Sequence, residues 1–154
     1  MPTLKERIDA DIKDAMRAKD ELRSNVVRML KSAVKYKEVE PGAKGPLDDS
    51  GIMGVIATLI KQRRDSVEQY RQGGRADLAE KEEKEIAVLQ AYLPAQLSAA
   101  ELTAAVAEGL KEANAKGPKD MGAVMKVLTP KLKGKAEGKA ISEEVRAQLA
   151  KLGG

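Results

Sequence analysis

The chain has no cysteine, no histidine, no phenylalanine and no tryptophan, and its aromatics are Tyr36, Tyr70 and Tyr92. Without cysteine there are no disulfides and no thiolate metal sites, and without histidine the commonest zinc ligand is missing. A Ser-His-Asp or Cys-His triad cannot be assembled. No apolar run reaches the roughly 18 residues that span a bilayer. The opening stretch MPTLKERID lacks the apolar core of a secretory signal peptide. These absences lead to the expectation of a cytoplasmic chain with no membrane partner and no metal.

With so few aromatic and β-branched residues, a sheet has little to be built from, and Ala, Leu, Val, Ile and Met must fill the core. Charged residues make up 34% of the 154 positions, rich in glutamate and lysine, which suits exposed helix faces. The expectation is an all-α, multihelical chain.

Thr3 and Glu6 have the spacing of a capping box, and Leu4, Ile8, Ile12, Ala15 and Met16 then share one face of a helix over about 4–18. Asp20 can cap a second helix with Leu22, Val26, Leu30, Ala33 and Val34 on its apolar side, ended by Pro41-Gly42. A third follows Asp49 or Ser50 and stops at Gly73-Gly74. After Asp77, LAEKEEKEIAVLQAYL is polar first and apolar last, so it should pack by its C-terminal half, with Glu80–Lys84 and Lys81–Glu85 paired along its surface.

Leu93-Pro94 marks a subdomain boundary, dividing 1–93 from 94–154. Beyond it, Ser98 with Glu101 repeats the capping box, and Leu97 with Leu102 has the spacing of a hydrophobic staple. That helix ends at Lys116-Gly117-Pro118. Asp120 should cap the next, and Glu137 or Ser142 opens the last. The count is four helices followed by three shorter ones.

The segment 116–139 holds seven lysines, Lys116, Lys119, Lys126, Lys131, Lys133, Lys135 and Lys139, against two acids, Asp120 and Glu137. Its local balance is +5, whereas the whole chain carries +4. Met121, Met125, Leu128 and Leu132 form an apolar stripe at helical spacing, while Lys119, Lys126 and Lys133 fall on roughly the opposite side. Pro130 should kink or end this helix, and Gly134 and Gly138 should leave the following connection free to bend. A solvated face and helix-dipole complementation are the ordinary reading. The sharper reading is a phosphate-backbone contact. With no aromatic after Tyr92 to stack bases, nucleic acid would be a folded RNA held by shape and charge.

Other chemistry is sparse. GKAEGK has three residues between its glycines, where a phosphate loop needs four, and Ala140 follows Lys139 where Ser or Thr belongs. The carboxylate groups Asp9/Asp11/Asp14, Asp48/Asp49 and Glu82/Glu83/Glu85 sit among cations, as salt-linked surfaces do. In KQRRDSVEQYRQGGR, Arg64, Glu68 and Arg71 can pair along one side, leaving Arg63 and Arg75 freer.

RMLKSAVKYKEVE (28–40), IKQRRDSVEQYRQGGRADLAEKEEKEIAVLQAYLPAQLS (60–98) and KDMGAVMKVLTPKLKGKAEGK (119–139) together resemble the GatB/YqeY family, and in particular its free-standing YqeY-like members. The resemblance implies an all-helical protein in two subdomains. It also implies kinship with the C-terminal tail of the B subunit of tRNA-dependent amidotransferases, which engages tRNA while glutaminase and kinase chemistry reside elsewhere. Carried over by position, the tail-like part runs from Leu97 to Leu152 and contains the lysines named above. A label of carbon–nitrogen ligase with glutamine as amide donor would describe that parent complex.

The expectation is therefore a module that is not catalytic by itself, needs no cofactor, and contacts tRNA through the seven lysines, without DNA specificity. The alternative is a protein-interaction adaptor, or an auxiliary component docking on an amidotransferase or an aminoacyl-tRNA synthetase.

Overall fold

The computed structural model describes residues 2–153. Seven α-helices and no strand lie among the described residues: α1 (Leu4–Arg17), α2 (Glu21–Val39), α3 (Asp49–Gln72), α4 (Ala76–Gln90), α5 (Ala99–Glu112), α6 (Met121–Leu132) and α7 (Gly138–Gly153). A single 3₁₀ turn, Pro118–Asp120, precedes α6. The chain divides at Leu93/Pro94 into two compact units, each with its own core.

Unit 1 packs α1–α4 around Leu30, Ile52, Ile56, Ile60, Ile86 and Leu89, all within 2% of complete burial. Its helices start where short polar side chains satisfy the first free amides: Thr3 Oγ1 accepts from Glu6 N, Asp20 from Arg23 N, and Asp48 from Gly51 N. The sharp stop of α3 uses Gly74 at φ 73°, letting the Arg75 amide reach back to the Tyr70 carbonyl at 2.7 Å.

Here pairing departs from the sequence expectation. Arg63 is not free but buried, with Nε 3.1 Å from Glu85 Oε1 and Nη1 3.3 Å from the Leu59 carbonyl. Arg75 holds Asp77 at 3.2 Å and Arg71 holds Glu83 at 2.5 Å. Glu83 and Glu85 thus turn across to α3 instead of pairing along α4. The N-terminal half of α4 is packed too, because Ala79, fully buried, is small enough to let the two helices approach. Periodicity counted α4 as solvated because it weighs glutamates as outward-facing, and it cannot see a buried arginine opposite.

The aspartates that the sequence groups as carboxylate clusters in unit 1 are committed too. Asp9 meets Lys31 at 2.7 Å, Asp14 meets Arg17 at 3.6 Å, and Asp49 accepts the Leu4 amide at 3.0 Å. Asp11 meets Arg23 at 3.2 Å and accepts from the buried Tyr92 hydroxyl at 2.5 Å, under the Arg7 guanidinium stacked 5.1 Å from the ring centre. Burial, then the Asp11 bond, push the Tyr92 phenol above its ordinary range.

Candidate nucleic-acid interface

Unit 2 is a three-helix assembly closed over Val106, Leu110, Val124, Leu128, Leu132, Ile141, Val145 and Leu149. Its entry is fixed locally. Ser98 Oγ accepts from Glu101 N at 3.1 Å while Glu101 Oε1 accepts from Ser98 N at 2.9 Å, and this bonding lowers the Glu101 pKa. Gly109 lets α6 approach α5 closely, since a Cβ there would lie 2.5 Å from a Leu128 methyl. Val124, absent from the expected stripe, is fully buried on α6, whereas Met121 and Met125 are partly buried against the core.

Asp120 stands at the N-cap position of α6, but its side chain makes no cap hydrogen bond to that helix. Its carboxylate instead accepts from the Lys116 amide at 2.7 Å and the Gly117 amide at 3.2 Å, closing the turn before the helix. The Lys116 bond is the first cause of its lowered pKa, and the nearby Lys119 and Lys116 charges add to it. The side chain is spent on the turn because two free amides at Lys116 and Gly117 face it.

All seven lysines are exposed. Lys116 and Lys119 sit in the turn before α6, Lys126 on its outer side, Lys131 in its last turn, Lys133 and Lys135 in the connection to α7, and Lys139 in the first turn of α7. The twelve residues of α6 are about 18 Å long. The structure thus strings the lysines along this helix, from the turn before it to the start of α7, and does not gather all seven around a point. That layout cannot chelate one small anion but can follow a run of phosphates.

Lys131 is held by Glu112. Among the described residues, Lys126, Lys135 and Lys139 make no ion pair with a carboxylate. Lys139 is the informative one, because α7 has no acid in its first turn and the helix dipole opposes a cation there.

The connection after α6 is shorter and stiffer than expected. Pro130 lies on the exposed side and the helix continues to Leu132, while Gly138 and Lys139 already belong to α7. Residues 133–137 are pinned from the segment before α5: the Leu97 amide donates to the Lys135 carbonyl at 2.9 Å, and Gln96 Nε2 donates to the Gly134 carbonyl at 2.7 Å. Gly134 takes φ 76° to make this turn. Gln96 and Leu97 therefore position the lysines, and no local pattern marks them, because their partners lie nearly forty residues away.

Arg63, Arg71 and Arg75 face carboxylates in unit 1. No group of three acidic residues arranged for a metal occurs among the described residues, and no helix is long and apolar enough to cross a membrane.

Comparison with known proteins adds the family. The relatives are each called "Altered inheritance of mitochondria protein 41, mitochondrial". One from Lachancea thermotolerans is 40% identical over 111 residues, covering 70% of this chain and 58% of the relative. One from Pyrenophora tritici-repentis is 31% identical over 146 residues, covering 91% and 77%, and one from Saccharomyces cerevisiae is 34% identical over 86 residues, covering 56% and 46%. The chain spans about half the length of several curated relatives it matches, 44% and 46% in two further cases. The cytoplasmic expectation fails against these names, which are those of mitochondrial proteins. It rested on the missing secretory core in MPTLKERID, which bears on the secretory route alone, and the folded helices carry no mark of compartment. A family model described as "Yqey-like protein" matches residues 5–149, through both units, and the chain belongs to the YqeY-like family.

Proposed function

We propose that this chain is a non-catalytic helical module that holds a folded RNA, tRNA in particular, by its phosphate backbone through the lysines of unit 2. The observation that carries the reading is Lys139 together with the pinned 133–137 turn. A solubilising lysine has no reason to sit where the helix dipole opposes it, and a merely solvated loop has no need of two anchoring bonds from Gln96 and Leu97. Anchoring lowers the ordering cost of binding, since the cations are held in place beforehand. The likeness of 97–152 to the tail of the amidotransferase B subunit supports the same reading and names the RNA class.

Unit 2 supplies no stacking aromatic, so base sequence is read weakly and shape and charge carry affinity. Titrating labelled tRNA at about 50 and 200 mM salt is the test. Four to five phosphate contacts should cost about 10²–10³ in affinity over that range. Equal affinity at both salts, or none at either, removes the reading. An amidation assay with and without the protein then separates an RNA holder from an auxiliary amidotransferase component, which alone would change the rate.

A further inference from the structure

Two methionines of unit 1 carry a guanidinium on their sulfur. Met16 and Met29 stand about half exposed, at 52% and 50%, while Met53, Met121 and Met125 are partly buried against the two cores. Arg28 Nη2 lies 3.0 Å from Met16 Sδ, and Arg63 Nη2 lies 2.9 Å from Met29 Sδ. A thioether is a weak acceptor, and a guanidinium bonds far better to a carboxylate or carbonyl oxygen.

The two contacts differ in what holds the arginine. Arg28 is exposed, so water can take the place of the Met16 sulfur. Arg63 is buried, with Nε on Glu85 of α4 at 3.1 Å and Nη1 on the Leu59 carbonyl of α3 at 3.3 Å. Those two bonds aim its remaining arm at α2, where Met29 offers the poorest acceptor of the three. In a buried site a charged donor gains most from a strong acceptor, and an oxygen on that sulfur would be one.

We propose that Met29 is a site of oxidation by hydrogen peroxide whose sulfoxide oxygen is received by Arg63, so that the modification braces unit 1 instead of loosening it. The sulfur attacks one peroxide oxygen, and the S–O bond forms as the O–O bond breaks. The departing hydroxide takes the proton of the transferred hydroxyl and leaves as water, and the sulfur loses the two electrons that peroxide gains. The Met29 side chain is unbranched and half exposed, so it can back away to make room for the oxygen. Arg63 stays where Glu85 and Leu59 fix it, and its N–H···S contact becomes a charge-assisted N–H···O bond. Sulfoxide sulfur is chiral, and a donor fixed on one side selects one epimer. The site lies in unit 1 and does not rest on the RNA reading, so either can fail alone.

The test uses the full chain with Met16→Leu and Met53→Leu, volume-conserving changes that leave Met29 as the described methionine of unit 1. After hydrogen peroxide, peptide mass spectrometry reads conversion at Met29, and tyrosine fluorescence reads the melting of unit 1, which holds all three tyrosines. Conversion should raise that Tm by at least about 3 °C. On the digested product, one of two epimer-specific sulfoxide reductases should remove at least about five times as much sulfoxide as the other. Adding Arg63→Leu with Glu85→Leu, which takes out both buried charges together, should abolish the rise and the epimer excess. Oxidation in urea makes the same comparison without those two changes and should yield both epimers equally. A fall in Tm on oxidation, equal epimers from the folded chain, or a rise that persists without Arg63 overturns the proposal. So does an excess unchanged in urea, or Met29 left unmodified while free methionine in the same solution is converted.

Discussion

The two units use the same helices and the same aliphatic cores but dispose of charge in opposite ways. Residues 1–93 hold 18 cationic side chains against 17 acidic ones, and residues 94–154 hold 10 against 7. In unit 1, Lys5, Arg17, Arg23, Lys31, Lys37, Arg63, Arg71 and Arg75 each meet a carboxylate. In unit 2, Lys131 meets Glu112 while Lys126, Lys135 and Lys139 meet none among the described residues. Charge is cross-link in the first and display in the second. Net charge alone would miss this, since an excess of three is modest. What matters is whether the cations of 116–139 have carboxylates within reach.

The largest effect on stability is expected where unit 1 buries its cross-link. Glu85→Ala removes the ion-pair partner of the Arg63 guanidinium, whose side chain is 8% exposed. Breaking a buried pair costs about 3–5 kcal/mol, and the 15% exposure of Glu85 puts this case near 3. Urea denaturation followed by tyrosine fluorescence reads it directly, because all three tyrosines lie in unit 1. Replacing both partners, Arg63→Met with Glu85→Leu, should recover most of the loss. A loss of less than about 0.5 kcal/mol in Glu85→Ala would make this pair no different from an exposed one, and the contrast between units would weaken.

Next in size is the display itself. Lys126→Glu, Lys133→Glu and Lys135→Glu together should lower tRNA affinity at about 50 mM salt by at least 10²-fold, with the helical signal unchanged. The same reversals belong to exposed positions, so stability should move little. If the variant binds as before, these exposed lysines are solubilising surface and the two units do not differ in what their charge does.

Gly109→Ala probes how closely α5 and α6 must approach to hold that display. The added methyl would sit 2.5 Å and 2.6 Å from the branched end of the buried Leu128, so that side chain and the core around it must shift. Overpacking of about 1–3 kcal/mol, offset by about 1 from the better helix propensity of alanine, leaves a net loss of about 1. Far-UV circular dichroism in urea measures it.

What could be read in advance from the chain tracks distance along it. Ser98 and Glu101 are three apart, and their reciprocal bonds form as their spacing foretells. The apolar rows Leu4/Ile8 and Ile52/Ile56/Ile60 were legible because helical period is local. Arg63 was not, because Glu85 is 22 residues away and only the packing of α4 on α3 brings it near. The lysines were legible as a cluster, but their fixing by Gln96 and Leu97 depends on contacts 38 residues apart. Asp120 misled for a different reason: a residue before a helix can cap it or close the preceding turn, and sequence does not distinguish the two.

Acid pH should separate the same roles more gently. The Asp120 and Glu101 carboxyls are held below their ordinary values, chiefly by the backbone amides of Lys116 and Ser98. A lowered acid contributes stability that is complete above its unfolded value, about 4, and is lost as pH falls through its folded value. The Tm of the chain should therefore fall below about pH 4. Asp120→Asn should flatten part of that decline, measured as Tm against pH. A decline of identical shape in the variant would mean that the turn at Lys116 draws nothing from the charge.

The smallest stability change belongs to the one pair that unit 2 does make. Lys131 and Glu112 are each 53% exposed, so Glu112→Ala should cost no more than about 0.5 kcal/mol. Its consequence for binding has the opposite sign. Removing Glu112 leaves the Lys131 ammonium without its carboxylate and adds one cation to those already displayed along α6. If that cation reaches a phosphate, the slope of log affinity against log salt should steepen by about 0.9. A slope unchanged while stability is also unchanged would place Lys131 outside the contact, and confine the display to the outer side of α6 and the start of α7.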